Sequence, residues 1–205
     1  MNHQFSPEEF RIKALGLRDA PTHSAGDHLL NPGFEAQLKA LTFREAAVLI
    51  GLRPHADGAR IILTQRTAHL RKHAGQVAFP GGAIDPDDGS AEGAAMREAQ
   101  EEIGLDPKHV EPLGLLPDYL TSTGFRIKPV VALVSLDASF EINTDEVDAM
   151  FEVPLSYLMD TVNYKRESRV WQGIERHYYT LTYDDRLIWG VTAGIIRVMQ
   201  ERFYA

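Results

Sequence analysis

Glu98, Glu101 and Glu102 stand at i, i+3 and i+4 in the run AAMREAQEEIGL, a spacing that on a helix brings three carboxylates to one side with Cβ atoms about 5–6 Å apart. Like charges so placed repel, more strongly where water is partly excluded, so the pattern asks for a compensating positive charge. A divalent cation would supply it. All-oxygen ligands suit Mg2+, with Mn2+ as a substitute, and such an ion commonly bridges protein carboxylates to phosphate oxygens. Arg97, four residues before Glu101, is placed to hold that carboxylate by charge-assisted hydrogen bonds, which assigns it orientation rather than chemistry. Three glutamates alone more often mark a solvated helix face, so their surroundings must decide.

Those surroundings predict a strand, loop and helix unit. Residues Ser90 to Ile103 have helix composition with Gly104 as a stop. Ala91, Ala95, Ala99 and Ile103 form a narrow stripe of mostly small residues, so one face is expected to pack closely on a sheet and the other to bind. Just upstream, Gln76 to Phe79 reads as a brief extended piece ended by Pro80, Gly81 and Gly82, where two glycines permit a turn that aims a backbone carbonyl. Short aliphatic runs from Ala46 to Leu52 and from Arg60 to Gln65, separated by Pro54, Asp57 and Gly58, predict a hairpin. Lys128 to Ser135 is the strongest buried strand, a second hairpin is centred on Gly173, and Leu187 to Phe203 is expected as a closing helix.

The run GGAIDPDDGSAEGAAMREAQEEIGL resembles the Nudix box, matching its Arg-Glu-aliphatic-any-Glu-Glu-any-Gly-aliphatic core at Arg97, Glu98, Glu101, Glu102 and Gly104. Gly82 lies one residue farther from Arg97 than the general pattern has it, Asp88 stands in the place of its first Glu, and Ala99 replaces a larger aliphatic. These departures, with the upstream LTQRTAHLRKHAGQVAFPGG, look like the coenzyme A diphosphatase branch of that superfamily. The likeness covers roughly Leu63 to Leu105, and more weakly Glu146 to Leu155 and IWGVTAGII.

The resemblance implies an α/β (α+β) fold, an α/β/α sandwich around a mixed sheet, whose catalytic helix carries the box. It implies a Mg2+- or Mn2+-dependent hydrolase that cleaves the diphosphate of coenzyme A or its derivatives to 3',5'-ADP and 4'-phosphopantetheine. It also implies a backbone carbonyl from Gly82, or less readily Gly81, on the metal, and a further carboxylate from a later loop as ligand or base, for which Glu146 stands in the corresponding stretch with Asp145 as its neighbour. The same helix serves enzymes that act on ADP-ribose, dinucleoside polyphosphates or nucleoside triphosphates, and a non-catalytic nucleotide-sensing module is the reading from outside the enzymes.

Before the glycines, Arg66, Arg71, Lys72 and His73 cluster, and Arg66 and Arg71 are the residues placed to meet substrate phosphates. Trp171, Tyr178, Tyr179 and Trp189 are assigned to packing rather than to the site. Ser6-Pro7-Glu8-Glu9 starts a short helix, and the His-, Gly- and Asn-rich stretch that follows predicts residues 1–40 as a helix-and-linker arm ahead of a domain at 41–205.

A formal charge of −8 argues against a binder of nucleic-acid backbone, while leaving room for a small anionic substrate held through metal. The absence of cysteine excludes disulfides and thiolate nucleophiles and fits the reducing cytoplasm, and no apolar run is long enough to span a bilayer. No nucleic-acid or membrane partner is expected, and the oligomeric state is left open, a homodimer included.

Overall fold

The computed structural model describes residues 3–16, 24–69, 74–171 and 173–205. In chain order its helices are α1 (Pro7–Gly16), α2 (Glu35–Lys39), α3 (Ala91–Ile103), α4 (Leu155–Met159) and α5 (Gly190–Phe203). The strands are β1 (Ala25–Gly26), β2 (Arg44–His55), β3 (Gly58–Arg66), β4 (Val77–Ala78), β5 (Gly81–Ala83), β6 (Val110–Leu115), β7 (Tyr119–Leu120), β8 (Phe125–Val134), β9 (Val147–Pro154), β10 (Lys165–Trp171), β11 (Ile174–Tyr183) and β12 (Arg186–Trp189). Among the described residues β1 to β9 form one mixed sheet, and β10, β11 and β12 form a second, antiparallel one.

Alternation along the central strands sends successive side chains to opposite faces, and each face is covered by helix. Ala47 and Leu49 of β2, Ile62 of β3 and Val130, Ala132 and Val134 of β8 pack with the alanines of α3. Ile50, Leu52, Ile61, Leu63 and Val131 look the other way, onto α1, α4 and α5. The expected α/β sandwich with a mixed sheet is therefore the observed one: β2 and β8 run parallel, while β2 with β3 and β3 with β9 run antiparallel.

The central sheet is forked. β2 and β3 pair only near their turn, from Leu52 opposite Ile61 to His55 opposite Gly58, and then diverge. The segment from Val77 to Ala83 fills the fork, with β4 on Thr64–Gln65 of β3 and β5 on Ala46–Val48 of β2. Between them the Leu49 N–H donates to the Pro80 carbonyl at 2.8 Å. Gly81 and Gly82, read from the sequence as a turn, are thus strand residues. A Cβ on Gly81 would come within 2.7 Å of the Val48 Cα, so the close approach that forms the strand requires glycine there.

A second correction concerns the C-terminal helix, which begins at Gly190 rather than Leu187. Arg186 to Trp189 pair with Tyr183 to Thr180 across a tight turn in which Asp184 takes a φ of 51°. Leu-Ile-Trp suits either element, and the strand partner decides it.

The segment 1–40 carries α1, whose Phe10 and Ala14 are fully buried and belong, with Ala25, to the same core cluster as α5. Phe10 meets Phe203 edge to face at 5.4 Å between ring centroids, and Arg11 forms a two-pronged pair with Glu111 of β6. Replacing Phe10 by Ala is expected to lower the stability of the whole domain by about 3–5 kcal/mol. Urea unfolding would show this as a shifted midpoint with an unchanged slope, and a shift worth less than about 1 kcal/mol would detach α1 from the core.

Candidate active site

Helix α3 is fixed at both ends by its own sequence. Ser90 caps the start, its hydroxyl accepting from the Gly93 N–H at 3.1 Å, and Gly104 ends it with a φ of 65°. Ala94, Ala95 and Ala99 are fully buried, and their small side chains bring the helix down onto the forked strands. The approach is close enough that a Cβ on Gly82 would lie 2.6 Å from the Glu98 Cδ. Glycine at 82 is therefore what makes room for that carboxylate.

The three glutamates end in different surroundings. Glu102 is 3% exposed, on the packed side of the helix rather than the open one. Its carboxylate accepts from the Gly81 N–H at 3.3 Å and from Arg66 Nη1 at 3.4 Å. Burial pushes its pKa up to about 7, with Arg66 and the Gly81 N–H opposing and the charges of Glu98 and Glu146 reinforcing the rise. Burial likewise raises Glu98, against the pull of Arg97 and with the charges of Glu101 and Glu146 adding to it. The Glu101 side chain is 55% exposed and accepts from Arg97 Nη1 at 3.0 Å, in keeping with their four-residue spacing.

Arg97 does more than orient Glu101. Its Nε donates to Asp88 Oδ1 at 2.7 Å and its Nη2 to Asp88 Oδ2 at 3.1 Å, while Nη2 also meets the Ala83 carbonyl and Nη1 meets Glu98, both at 3.0 Å. Asp88, which the sequence marked only as a departure from a pattern, anchors the guanidinium that serves both carboxylates. Its hydrogen bonds to Arg97 hold the Asp88 carboxyl below its usual range. One arginine thereby ties the loop before α3, the end of β5 and two glutamates together.

Glu146 is brought to the same place by the far end of α3. The last carbonyls of a helix lack partners within it. Here the Asn143 N–H donates to the Glu102 carbonyl at 2.9 Å and the Glu141 N–H to the Ile103 carbonyl at 2.9 Å. Asn143 in turn accepts at its own carbonyl from the N–H groups of Glu146, at 3.0 Å, and Val147, at 2.9 Å, and the Thr67 N–H holds the Glu146 carbonyl at 3.0 Å. Asn143 is the functional residue that sequence reading missed. The one signal available was an asparagine just before an acidic turn.

As the side chains stand, no group of three or more His, Asp or Glu among the described residues is gathered to hold a metal ion. Arg97 draws Glu98 and Glu101 to itself, and Glu102 faces Arg66. Arg66, read as a phosphate contact, is thus turned toward the glutamate. Arg71, with Lys72 and His73, lies outside the described residues. Gly82 sits in β5 opposite Ala47, while Gly81 supplies the N–H to Glu102. Of the aromatic residues assigned to packing, Tyr179 meets Tyr164 and Tyr178 meets Trp189, whereas Trp171 is 54% exposed.

The NUDIX domain family model matches residues 42–172, more than half of the chain. The chain belongs to the Nudix family. As a Nudix hydrolase it acts on phosphorus anhydrides. It is similar to the uncharacterized Nudix hydrolase NudL of Escherichia coli K12, 43% identical over 171 residues that cover 82% of this chain and 86% of the relative. NudL of Shigella boydii serotype 18 is 42% identical over the same share of each. Among solved structures, the MutT protein from Methanosarcina mazei Go1 shares 19% identity at a TM-score of 0.48, over 80% of this chain and 94% of that one. The Nudix match spans β2 to β10, and so includes the fork, α3 and the Glu146 loop.

Because the fork of Arg97 meets a nearly buried Asp88 and a backbone carbonyl together, Arg97→Lys keeps the charge but not the geometry. A stability loss of about 1–3 kcal/mol is expected, read as a lower thermal midpoint. A melting curve that overlays the wild type would show that Asp88 is held by something else.

Proposed function

We propose that this Nudix hydrolase cleaves the diphosphate of coenzyme A or its derivatives, using Glu98, Glu101 and Glu102, with Glu146 from the later loop, and a divalent cation, Mg2+ or Mn2+. The observation that carries the assignment of the site is the burial of Glu102 beside the charges of Glu98 and Glu146. Excess negative charge in a desolvated cleft is costly to keep, and a hard cation relieves it. The donor set fits such an ion in chemistry: every group is a carboxylate oxygen or a peptide carbonyl, with Gly82 as the carbonyl candidate. When bound, the ion would neutralise phosphoryl charge and lower the pKa of a ligated water.

The chain's own residues have distinct parts in this reading. Arg97 sets the direction of Glu98 and Glu101, and the Gly81 N–H fixes one oxygen of Glu102. Arg66 supplies positive charge at the cleft and offers a guanidinium to substrate phosphate when it leaves Glu102. Glu146, held through its backbone and without a side-chain hydrogen-bond partner among the described residues, presents its carboxylate to take a proton from an attacking water at Oε. The preference for coenzyme A is supported by the sequence from Leu63 to Leu105, which includes both the lining of the fork and the catalytic helix.

Glu101→Gln and Glu102→Gln are each expected to lower turnover by orders of magnitude while circular dichroism stays that of the folded protein. Wild-type rates in either variant would refute the assignment. For the substrate, phosphorus NMR of parallel reactions with coenzyme A, ADP-ribose and dATP should show 3',5'-ADP and 4'-phosphopantetheine as the dominant products. Turnover of ADP-ribose or dATP without coenzyme A cleavage would leave the site assignment in place and remove coenzyme A as substrate.

A further inference from the structure

All seven residues of β10 are exposed, and among the described residues its only strand partner is β11. Its outer edge therefore carries unpaired backbone groups, which are a template for another strand. We propose that this edge pairs with its counterpart in a second copy of the chain, antiparallel, about a two-fold axis at Ser168.

The backbone phase comes from the neighbouring strand. Ser168 lies opposite His177. The His177 N–H donates to Asn31 Oδ1 at 2.8 Å and its carbonyl accepts from Asn31 Nδ2 at 3.0 Å, so both His177 groups turn away from β10. Ser168 is then in a wide pair that does not exchange hydrogen bonds with β11, and its own N–H and C=O point to the free edge. Across the axis Ser168 would exchange both bonds with Ser168 of the second copy, and Arg166 would do the same with Val170. Glu167 opposite Arg169 and Lys165 opposite Trp171 would occupy the alternate pairs, where side chains come closest.

The side chains of Lys-Arg-Glu-Ser-Arg-Val-Trp are self-complementary in that register, which also keeps all seven residues paired. It places Glu167 against Arg169 twice, and Lys165 against the exposed ring of Trp171 twice, a cation facing an aromatic. Sliding by two residues one way sets Glu167 against Glu167 and Lys165 against Arg169. Sliding the other way sets Arg169 against Arg169. Like charges directly opposite are destabilising, so both slips are disfavoured. A strand edge charged only to resist pairing would gain nothing from such an arrangement. The contact is about 24 Å long, which places it among small interfaces and predicts a reversible dimer of micromolar affinity.

Sedimentation velocity over a concentration series, from roughly 1 to 500 µM to bracket that affinity, should show a monomer–dimer equilibrium. Glu167→Arg or Arg169→Glu alone should weaken it at least about tenfold, by turning two attractive pairs into repulsive ones. The combined swap should restore it. Ser168→Pro removes the outward N–H at a position where an edge strand tolerates proline, and should leave only monomer. Because the chain has no cysteine, Ser168→Cys provides a direct measure: two such residues about 5.5 Å apart at Cα should form a disulfide-linked dimer under mild oxidation. Arg166→Cys, with its copies roughly 14 Å apart, should not. A wild type that stays monomeric throughout, or a dimer unmoved by the charge reversals and by Ser168→Pro, would overturn the proposal. So would a swap that fails to restore association.

Discussion

A carboxylate that is almost wholly removed from water must be answered by donors or by positive charge, and Glu102 sets that condition for the whole site. An isolated buried charge is expensive, so its partners are structural necessities before they are catalytic ones. Arg66 and the Gly81 N–H answer it here, one from the end of β3 and the other from the strand that fills the fork. The fork exists because β2 and β3 part after a short shared ladder, and Gly81 closes it because no side chain fits against Val48. The sheet, the glycines and the helix thus converge on one buried oxygen pair.

The arginine fork of Arg97 has a complementary part. It binds Asp88, Glu98, Glu101 and a carbonyl of β5, so the entrance of α3 and its two more accessible glutamates move as one piece. Charge-assisted bonds in a planar fork carry orientation as well as energy. Relocating any of these groups disturbs the others, which is the behaviour required of a site that must hold several carboxylates at fixed directions despite their repulsion.

Much of this was legible in the residues themselves. The helix from Ser90 to Gly104 announces its cap, its stop and its small-residue stripe, and the first hairpin announces its turn. What stayed hidden depends on tertiary pairing. Nothing local says that Gly81 to Ala83 form a strand, because their conformation is set by β2, nor that Leu187 to Trp189 form one, because β11 decides it. Helical spacing groups Glu98, Glu101 and Glu102 but cannot say that Glu102 falls on the packed side next to Ile103. Arg66 reads as a free cation until its counter-charge is seen across the fork. Asn143 shows only as a turn residue, its Oδ1 accepting from the Asp145 N–H at 3.2 Å, because its backbone bonds to Glu102, Glu146 and Val147 are set by tertiary pairing.

The pairing of Glu141 and Asn143 with the final carbonyls of α3 has an evolutionary corollary. Between Gly104 and that junction the chain leaves the helix, builds β6, β7 and β8, and returns. Since departure and return are clamped at adjacent peptide groups, the distance between the glutamates of the helix and the acidic loop is independent of how long the excursion is. The loops between these strands are therefore free to change length without retuning the reactive groups, while β8 itself is held by its ladder to β2.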